Sequence, residues 1–256
     1  MTSAYIQFHE PLHELLRTGK KQKVVNIQFK GRQTIKHLVE SLGVPHTEVG
    51  RLQIKKNCIG FGYLVKNKDT IQVYPATPAQ DNYSGMFAKG KMTIPARFIL
   101  DNHLGKLATD LRMMGFDADY SNQYQDQELA ELAVAQERII LTRDRQLLMR
   151  KTVRYGYLLR SLDPDQQLLS VLERFNLYAQ IMLFERCMRC NHNLEQVEKV
   201  EIEHRLEPLT KKYFFKFKIC PNCKRVYWSG SHTERIKNRL SLILPREISR
   251  NILVKV

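Results

Sequence analysis

Three aspartates each close, or lie just beyond, a short run with the pattern of a strand. Asp101 follows the apolar run from Arg97 to Leu100. Asp144 follows Ile139, Ile140 and Leu141, and Asp126 comes after the alternating run Phe116 to Tyr120, where a helical pattern opens. In an open parallel sheet the functional crevice lies at the carboxyl ends of the strands. Three ionised carboxylates on that edge repel one another, and a hard divalent cation such as Mg²⁺ or Mn²⁺ relieves the repulsion. The chemistry implied is metal-assisted hydrolysis of a phosphodiester. Each acid also has a plainer reading. Asp101 and Asp126 can cap the helix that follows or oppose its dipole, and Asp144 can pair with Arg145. Asp110, in mid-helix beside the apolar stripe, reads as solvated.

A second group is made of thiols. Cys187 with Cys190, and Cys220 with Cys223, form two Cys-x-x-Cys pairs separated by 29 residues. Four thiolates in two such knuckles are the pattern of a tetrahedral structural zinc, and a site closed by four cysteines leaves no position open for catalysis. His192, His204 and His232 are spare ligands that the site does not need. Beyond the second pair, Tyr227, Trp228, His232, Arg235, Lys237 and Arg239 interleave aromatic with basic side chains. That mixture suits stacking on unpaired bases and contact with phosphates; Trp228 can equally serve to pack the ribbon.

The elements that must position these groups follow from periodicity. Leu104, Leu107, Ala108, Leu111 and Met114 recur at helical spacing, with Gly115 where a C-terminal cap belongs. Leu129, Leu132 and Ala133 mark a second helix after Asp126. RQLLMRK reads as a short helix, VRYGYLLR as a fourth strand, and Asp163-Pro164 as the N-cap of the helix QQLLSVLERFN. Strands alternating with helices of this length predict a parallel sheet with right-handed crossovers. Lys106, Arg112, Arg143 and Arg160 fall close enough to the strand ends to be candidates for phosphate contact. VEKVEIEHRLEPL and KKYFFKFKI read as strands of the ribbon. Upstream, KVVNIQF as strand, TIKHLVESLG as helix, and GFGYLV with DTIQVYP as strands suggest a β-grasp, within which Cys58 is a buried or incidental thiol. Residues 77–95 have linker composition, and Lys89 and Lys91 there read as solvated.

Charge is unevenly spread over the 256 residues. Residues 1–75 carry 12 Lys/Arg against 5 Asp/Glu, residues 76–184 carry 13 against 13, and residues 185–256 carry 16 against 8. A balanced centre between basic flanks, with a net charge of +15 overall, suits a cation-binding catalytic core flanked by surfaces that hold a polyanion. No apolar stretch is long enough to span a membrane and the first residues do not form a signal peptide. The expectation is therefore a cytoplasmic protein without a membrane partner, whose five cysteines are not disulfides.

The run RFILDNHLGKLATDLRMMGFD, then DQEL, then ILTRDRQLL, resembles the PIN-like ribonuclease family named after the C-terminal region of the worm Mut-seven exonuclease. The likeness continues through LLRS, both Cys-x-x-Cys pairs and YWSGSH. It implies a PIN-type sheet, a metal-dependent ribonuclease site at Asp101, Asp126 and Asp144, and an attached zinc ribbon. This chain departs from the family at Gln127, where relatives often have a second acid before Glu-Leu, so Asp126 and Glu128 are both candidate ligands. Residues 1–76 resemble the ubiquitin-like domain that precedes some members, carried by GVPHTEV, GYLVKNKDTI and VYP. That domain runs on through Pro75 without a Gly-Gly end, which excludes conjugation chemistry and leaves a docking surface for RNA or a protein partner, or a packed appendage. The expected architecture is α/β: a β-grasp domain (1–76), a linker (77–95), a PIN-like domain with a central parallel sheet (96–184), and a zinc ribbon with a basic C-terminal segment (185–256). The expected substrate is RNA, with structured RNA such as tRNA as one class. The alternative is a non-catalytic RNA-binding protein.

Overall fold

The computed structural model describes residues 1–17, 24–76 and 96–253; the linker expectation, with Lys89 and Lys91, lies outside the described residues. The N-terminal module runs β1 (Thr2–Phe8), β2 (Val24–Phe29), α1 (Ile35–Ser41), β3 (Val49–Ile54), β4 (Asn57–Cys58) and β5 (Thr70–Pro75). Its strands form one mixed sheet in the order β2-β1-β5-β3-β4. β1 is antiparallel to β2, with Ile6 opposite Val25, and parallel to β5, with Ile6 opposite Ile71. Alternation sends Ala4, Ile6 and Phe8 inward, against Leu38 and Val39 of α1. This is a β-grasp.

Two strands differ from expectation. The sheet begins with Thr2–Phe8, ahead of the KVVNIQF run, and GFGYLV forms no strand. The first amides of a helix lack partners within it, and the GFGYLV carbonyls supply them: Ile35 N–H donates to Tyr63 O at 2.9 Å and Lys36 N–H to Phe61 O at 3.2 Å. The strand pairing with β5 is instead Val49–Ile54. Of the two readings of Cys58, buried or incidental, the first is overturned: the thiol is exposed.

The chain continues with β6 (Arg97–Leu100), α2 (Gly105–Met113), β7 (Asp117–Tyr120), α3 (Asp126–Ala135), β8 (Ile139–Thr142), α4 (Arg145–Met149), β9 (Gly156–Leu158) and α5 (Pro164–Arg174). β6, β8 and β9 pair in parallel, Ile99 opposite Ile140 and Leu141 opposite Tyr157. Gly115 takes φ +93°, the left-handed conformation that ends α2 without a Cβ penalty. Asp163 caps α5 by accepting from Gln166 N–H at 2.9 Å. The remainder is β10 (Glu195–Val197), α6 (Lys199–Ile202), α7 (Pro208–Tyr213), β11 (Phe217–Ile219), β12 (Val226–Tyr227), α8 (Ser231–Ile243) and α9 (Arg246–Leu253). β10, β11 and β12 form the antiparallel ribbon. Most of the expected strand 197–209 and the first residues of the expected strand 211–219 are helical. The buried residues Ile202, Leu206 and Thr210 recur every fourth position, a helical rather than an alternating period.

The chain divides into two compact units, 1–103 with 121–160, and 104–120 with 161–256. In the first, the β-grasp and the parallel strands share one core: Ile99, Ile140, Leu148 and Leu158 join Ile6, Leu38 and Val49 in a single buried cluster. Polar contacts close the same junction. The 3-10 turn His46–Glu48 sets Glu48 Oε1 2.7 Å from Leu158 N–H of β9, and His46 Nε2 2.8 Å from Val153 O. Nδ1 of His46 lies 2.7 Å from Glu40 Oε1. The β-grasp is thus built into the unit that holds the parallel strands.

In the second unit Asp110 is 1% exposed rather than solvated. Arg239 of α8 holds it bidentately, Nη1 to Oδ1 at 2.9 Å and Nη2 to Oδ2 at 2.8 Å, and also bonds Asp165 of α5. Its hydrogen bonds to Asp110 raise the Arg239 pKa further, keeping it charged. A buried carboxylate survives ionised only with such a partner.

Removing either kind of partner has a measurable cost. In urea denaturation, Arg239→Ala, which leaves the buried Asp110 carboxylate only Lys106 as a charged partner, is expected to lose about 3 kcal/mol, the low end for breaking a buried pair. Glu48→Ala, which orphans the Leu158 amide, is expected to lose about 2 kcal/mol, and Glu48→Gln, which keeps an acceptor oxygen, distinctly less.

Candidate active site and metal centre

Asp101 stands one residue beyond β6, and its N–H still donates to Leu141 O of β8 at 3.1 Å, so the parallel pairing carries it to the strand end. Asp144 stands two residues beyond β8. The link between them is Thr142, the last residue of β8, 0% exposed. Its hydroxyl donates to Asp101 Oδ2 at 2.7 Å and accepts from Asp144 N–H at 2.8 Å. One buried hydroxyl therefore fixes one acid by its side chain and the other by its backbone. The sequence reading passed over Thr142, although a hydroxyl at the end of an otherwise apolar strand was a visible signal.

The plainer readings resolve differently for each acid. Asp144 is the N-cap of α4, with Oδ1 accepting from Gln146 N–H at 2.7 Å. It does not pair with Arg145, whose Nη1 donates to Leu15 O at 2.7 Å. Asp101 spends Oδ2 on Thr142. Asp126 is the first residue of α3 and does not cap it; Gln125 holds the cap position without a side-chain bond. Asp126 and Glu128 are exposed in the first turn, where their charge complements the helix dipole. The Asp126 carboxylate lies 3.6 Å from Arg150. The structure links Asp101 and Asp144 but does not draw Asp126 or Glu128 into one ligand cluster with them. Among the described residues, only the four cysteines group closely enough to hold a metal ion.

Those cysteines fit the role expected of them. Cys187, Cys190, Cys220 and Cys223 place their sulfurs within 4.8 Å of one another, with Cys187 and Cys220 buried. Tyr227 Oη lies 3.1 Å from Cys187 Sγ, placed to donate to a thiolate. Burial raises the pKa of Cys220. Burial acts the same way on Cys190, but bonds from Asn222, Cys220 and the His192 backbone outweigh it and lower that pKa. The site can hold a soft-ligand metal such as zinc.

Of the residues expected to meet phosphate, Arg112 does not qualify. It is 5% exposed, and its guanidinium is spent on Ala118 O (2.8 Å) and on Met188 O and Arg189 O of the first knuckle. Asn191 completes that junction, donating to Asp117 Oδ1 at 2.7 Å. Arg112 braces the cysteine knuckle. Lys106 pairs with Asp110 at 2.8 Å, though its side chain stays half exposed. Arg160 is paired with Glu14, while Arg143 and Arg235 are exposed. Trp228 is 40% exposed, with its ring tilted against Phe217. The side chain of His232 lies outside the described residues.

The hydroxyl link yields an expectation for activity. If Asp101 is a catalytic ligand, Thr142→Val, nearly isosteric, should lower turnover by roughly 10–100-fold, as loss of a group that orients such a ligand does, and Thr142→Ser should recover most of it. Steady-state cleavage kinetics on the two variants measure this.

Comparison with known proteins agrees with this anatomy. Residues 96–240 match the model described as the Mut7-C RNAse domain, and residues 1–81 match the one described as Mut7-C ubiquitin. No curated protein and no solved structure matches the chain. The first match covers more than half of the sequence and takes in β6 to β9, both cysteine knuckles and most of α8. With aspartates at the ends of its parallel strands and a four-cysteine centre later in the sequence, the chain belongs to the Mut7-C RNAse domain family and carries that family's ubiquitin-like domain at its N-terminal end.

Proposed function

We propose that the protein is a metal-dependent ribonuclease that hydrolyses phosphodiester bonds of RNA at Asp101 and Asp144, with Asp126 or Glu128 as an outer acid. The observation that carries this reading is the pair of aspartates at the carboxyl ends of adjacent parallel strands, tied through Thr142. A hard cation fits the pair better than the full set. Mg²⁺ keeps several waters and commonly takes only one or two carboxylates, and two linked acids offer that. When bound, such an ion supplies water activation and charge neutralisation at the scissile phosphate. The chain's own groups hold the geometry: Thr142 orients Asp101, the cap of α4 orients Asp144, and exposed Arg143 lies one residue away to meet a phosphate oxygen. Structured RNA such as tRNA is the class to test first. The four-cysteine centre is proposed to hold zinc as a structural ion, and a reducing, cytoplasmic setting suits its thiolates. A protein partner could use only the part of the β-grasp surface left outside its junction with β9.

The absence of a three-carboxylate cluster among the described residues favours a second reading, a non-catalytic RNA-binding protein. A cleavage assay separates the two. Wild type incubated with a mixed RNA pool should cleave with Mn²⁺ or Mg²⁺ and not without. Asp101→Asn and Asp144→Asn should each fall to background while binding RNA at least as well, since a negative charge beside phosphates is lost. Comparing Asp126→Asn with Glu128→Gln identifies the outer acid by the larger loss. RNA bound but uncut under every metal condition establishes the binding-protein reading instead.

Replacing Cys187 or Cys220 by Ser should leave little folded protein, because metal binding energy at such sites is folding energy. Elemental analysis should find about one zinc per chain; a stably folded, zinc-free wild type contradicts the structural assignment.

A further inference from the structure

The segment between the two cysteine pairs presents an aromatic and basic surface that the active site does not use. From Pro208 to Ile219 the chain carries four lysines and no acid. After α7 its side chains divide by direction. Phe214 and Phe217 turn inward onto Ile202 and Leu206, whereas Tyr213 is 61% and Phe215 73% exposed. Burying a ring is worth more than leaving it in water, so two exposed rings on either side of one half-buried ring are a costly way to cover a helix end. Cations accompany both. Lys199 Nζ lies 4.4 Å from the centre of the Phe215 ring and is anchored on Lys211 O, and Lys212 Nζ lies 5.4 Å from the Tyr213 ring. Lys218 is spent on Glu185, but among the described residues Lys211, Lys212 and Lys216 enter no ion pair. The surface continues toward Trp228. A Cβ on Gly230 would come 3.0 Å from the Trp228 indole nitrogen and 3.7 Å from the Phe214 ring, so this glycine lets the indole lie beside Phe214.

We propose that Tyr213, Phe215 and the lysines around them form a stacking platform for single-stranded RNA, distinct from the carboxylate site. The inference rests on the ribonuclease reading for the identity of the polyanion. Exposed rings offer faces on which unpaired bases stack whatever their sequence, and unpaired lysines with no acid in the same segment suit the phosphates between those bases. A protein partner matched to an apolar patch would have less use for three unpaired cations flanking the rings. Four acids just upstream, Glu198, Glu201, Glu203 and Glu207, bound the favourable charge to the 208–219 segment.

The test is fluorescence anisotropy of a labelled, unstructured pyrimidine RNA, with the full chain in an Asp101→Asn background so that no cleavage intervenes. Phe215→Ala should weaken binding roughly 10-fold, and Tyr213→Ala comparably, as expected for loss of one stacked base. Phe215→Trp should retain affinity. Replacing Lys211, Lys212 and Lys216 by Gln should make the dependence of log affinity on log salt shallower by about 2. Thermal melting and metal content should match the parent, because these side chains are exposed. Unchanged affinity in all variants overturns the platform and points to another occupant, and equal loss in Phe215→Ala and Phe215→Trp overturns stacking as its basis. Neither result touches the cleavage assay. Conversely, a wild-type chain that binds RNA through these residues but cuts none retains the platform and loses the ribonuclease reading.

Discussion

The active-site account depends on one buried hydroxyl. A polar group taken out of water must find its partners within the protein, and Thr142, at the end of an apolar strand, finds two: the Asp101 carboxylate and the Asp144 amide. That requirement turns two acids from different strands into a pair of fixed geometry. The rest of the first unit keeps the strand ends in place. Ile99 and Ile140 align β6 with β8, and Leu159 N–H bonds Thr142 O at 2.8 Å, fixing the backbone on the other side.

An outer strand of a sheet exposes unpaired amides unless something covers them. Here Glu48 reaches the Leu158 amide of β9, and His46 meets Val153 O in the stretch leading into that strand. The ubiquitin-like domain of this chain is thereby part of the scaffold. Its buried residues share one core with Ile99, Ile140 and Leu158, so it is packed into the unit that holds the parallel strands. In the second unit the analogous fixing is electrostatic, through Arg239 on Asp110 and Asp165 and through Arg112 on the carbonyls of the first knuckle.

Much of this was legible in the sequence, for physical reasons that also mark where legibility stopped. The strands β6 and β8 and the helices α2, α3 and α5 announced themselves because each carries a strong period or a cap, as at Asp163 and Gly115. The cysteine pairs announced themselves because ligand spacing is a local property. Asp110, expected to be solvated, and Arg112, expected to meet phosphate, depart from the sequence for one reason: a charged residue on a helix looks free until its partner is known, and those partners lie 129 residues away at Arg239 and 77 away at Arg189. GFGYLV failed as a strand because its carbonyls were claimed by the start of α1, a contact across 28 residues for Ile35 and Tyr63 that no local pattern encodes. The helices α6 and α7 were hidden by Val200 and Ile202 in the first and by Tyr213 with the phenylalanines that follow the second, residues that favour strands, while burial recurs at every fourth residue.

The central claim is that Asp101 and Asp144, joined through Thr142, form the cation-binding heart of the site. Equilibrium titration with Mn²⁺, followed by the electron paramagnetic resonance of the free ion on zinc-loaded protein without RNA, tests it most directly. The account predicts saturable Mn²⁺ binding that is abolished by Asp101→Asn or Asp144→Asn and persists in Cys58→Ser. Mn²⁺ binding of unchanged strength in both aspartate variants would contradict it.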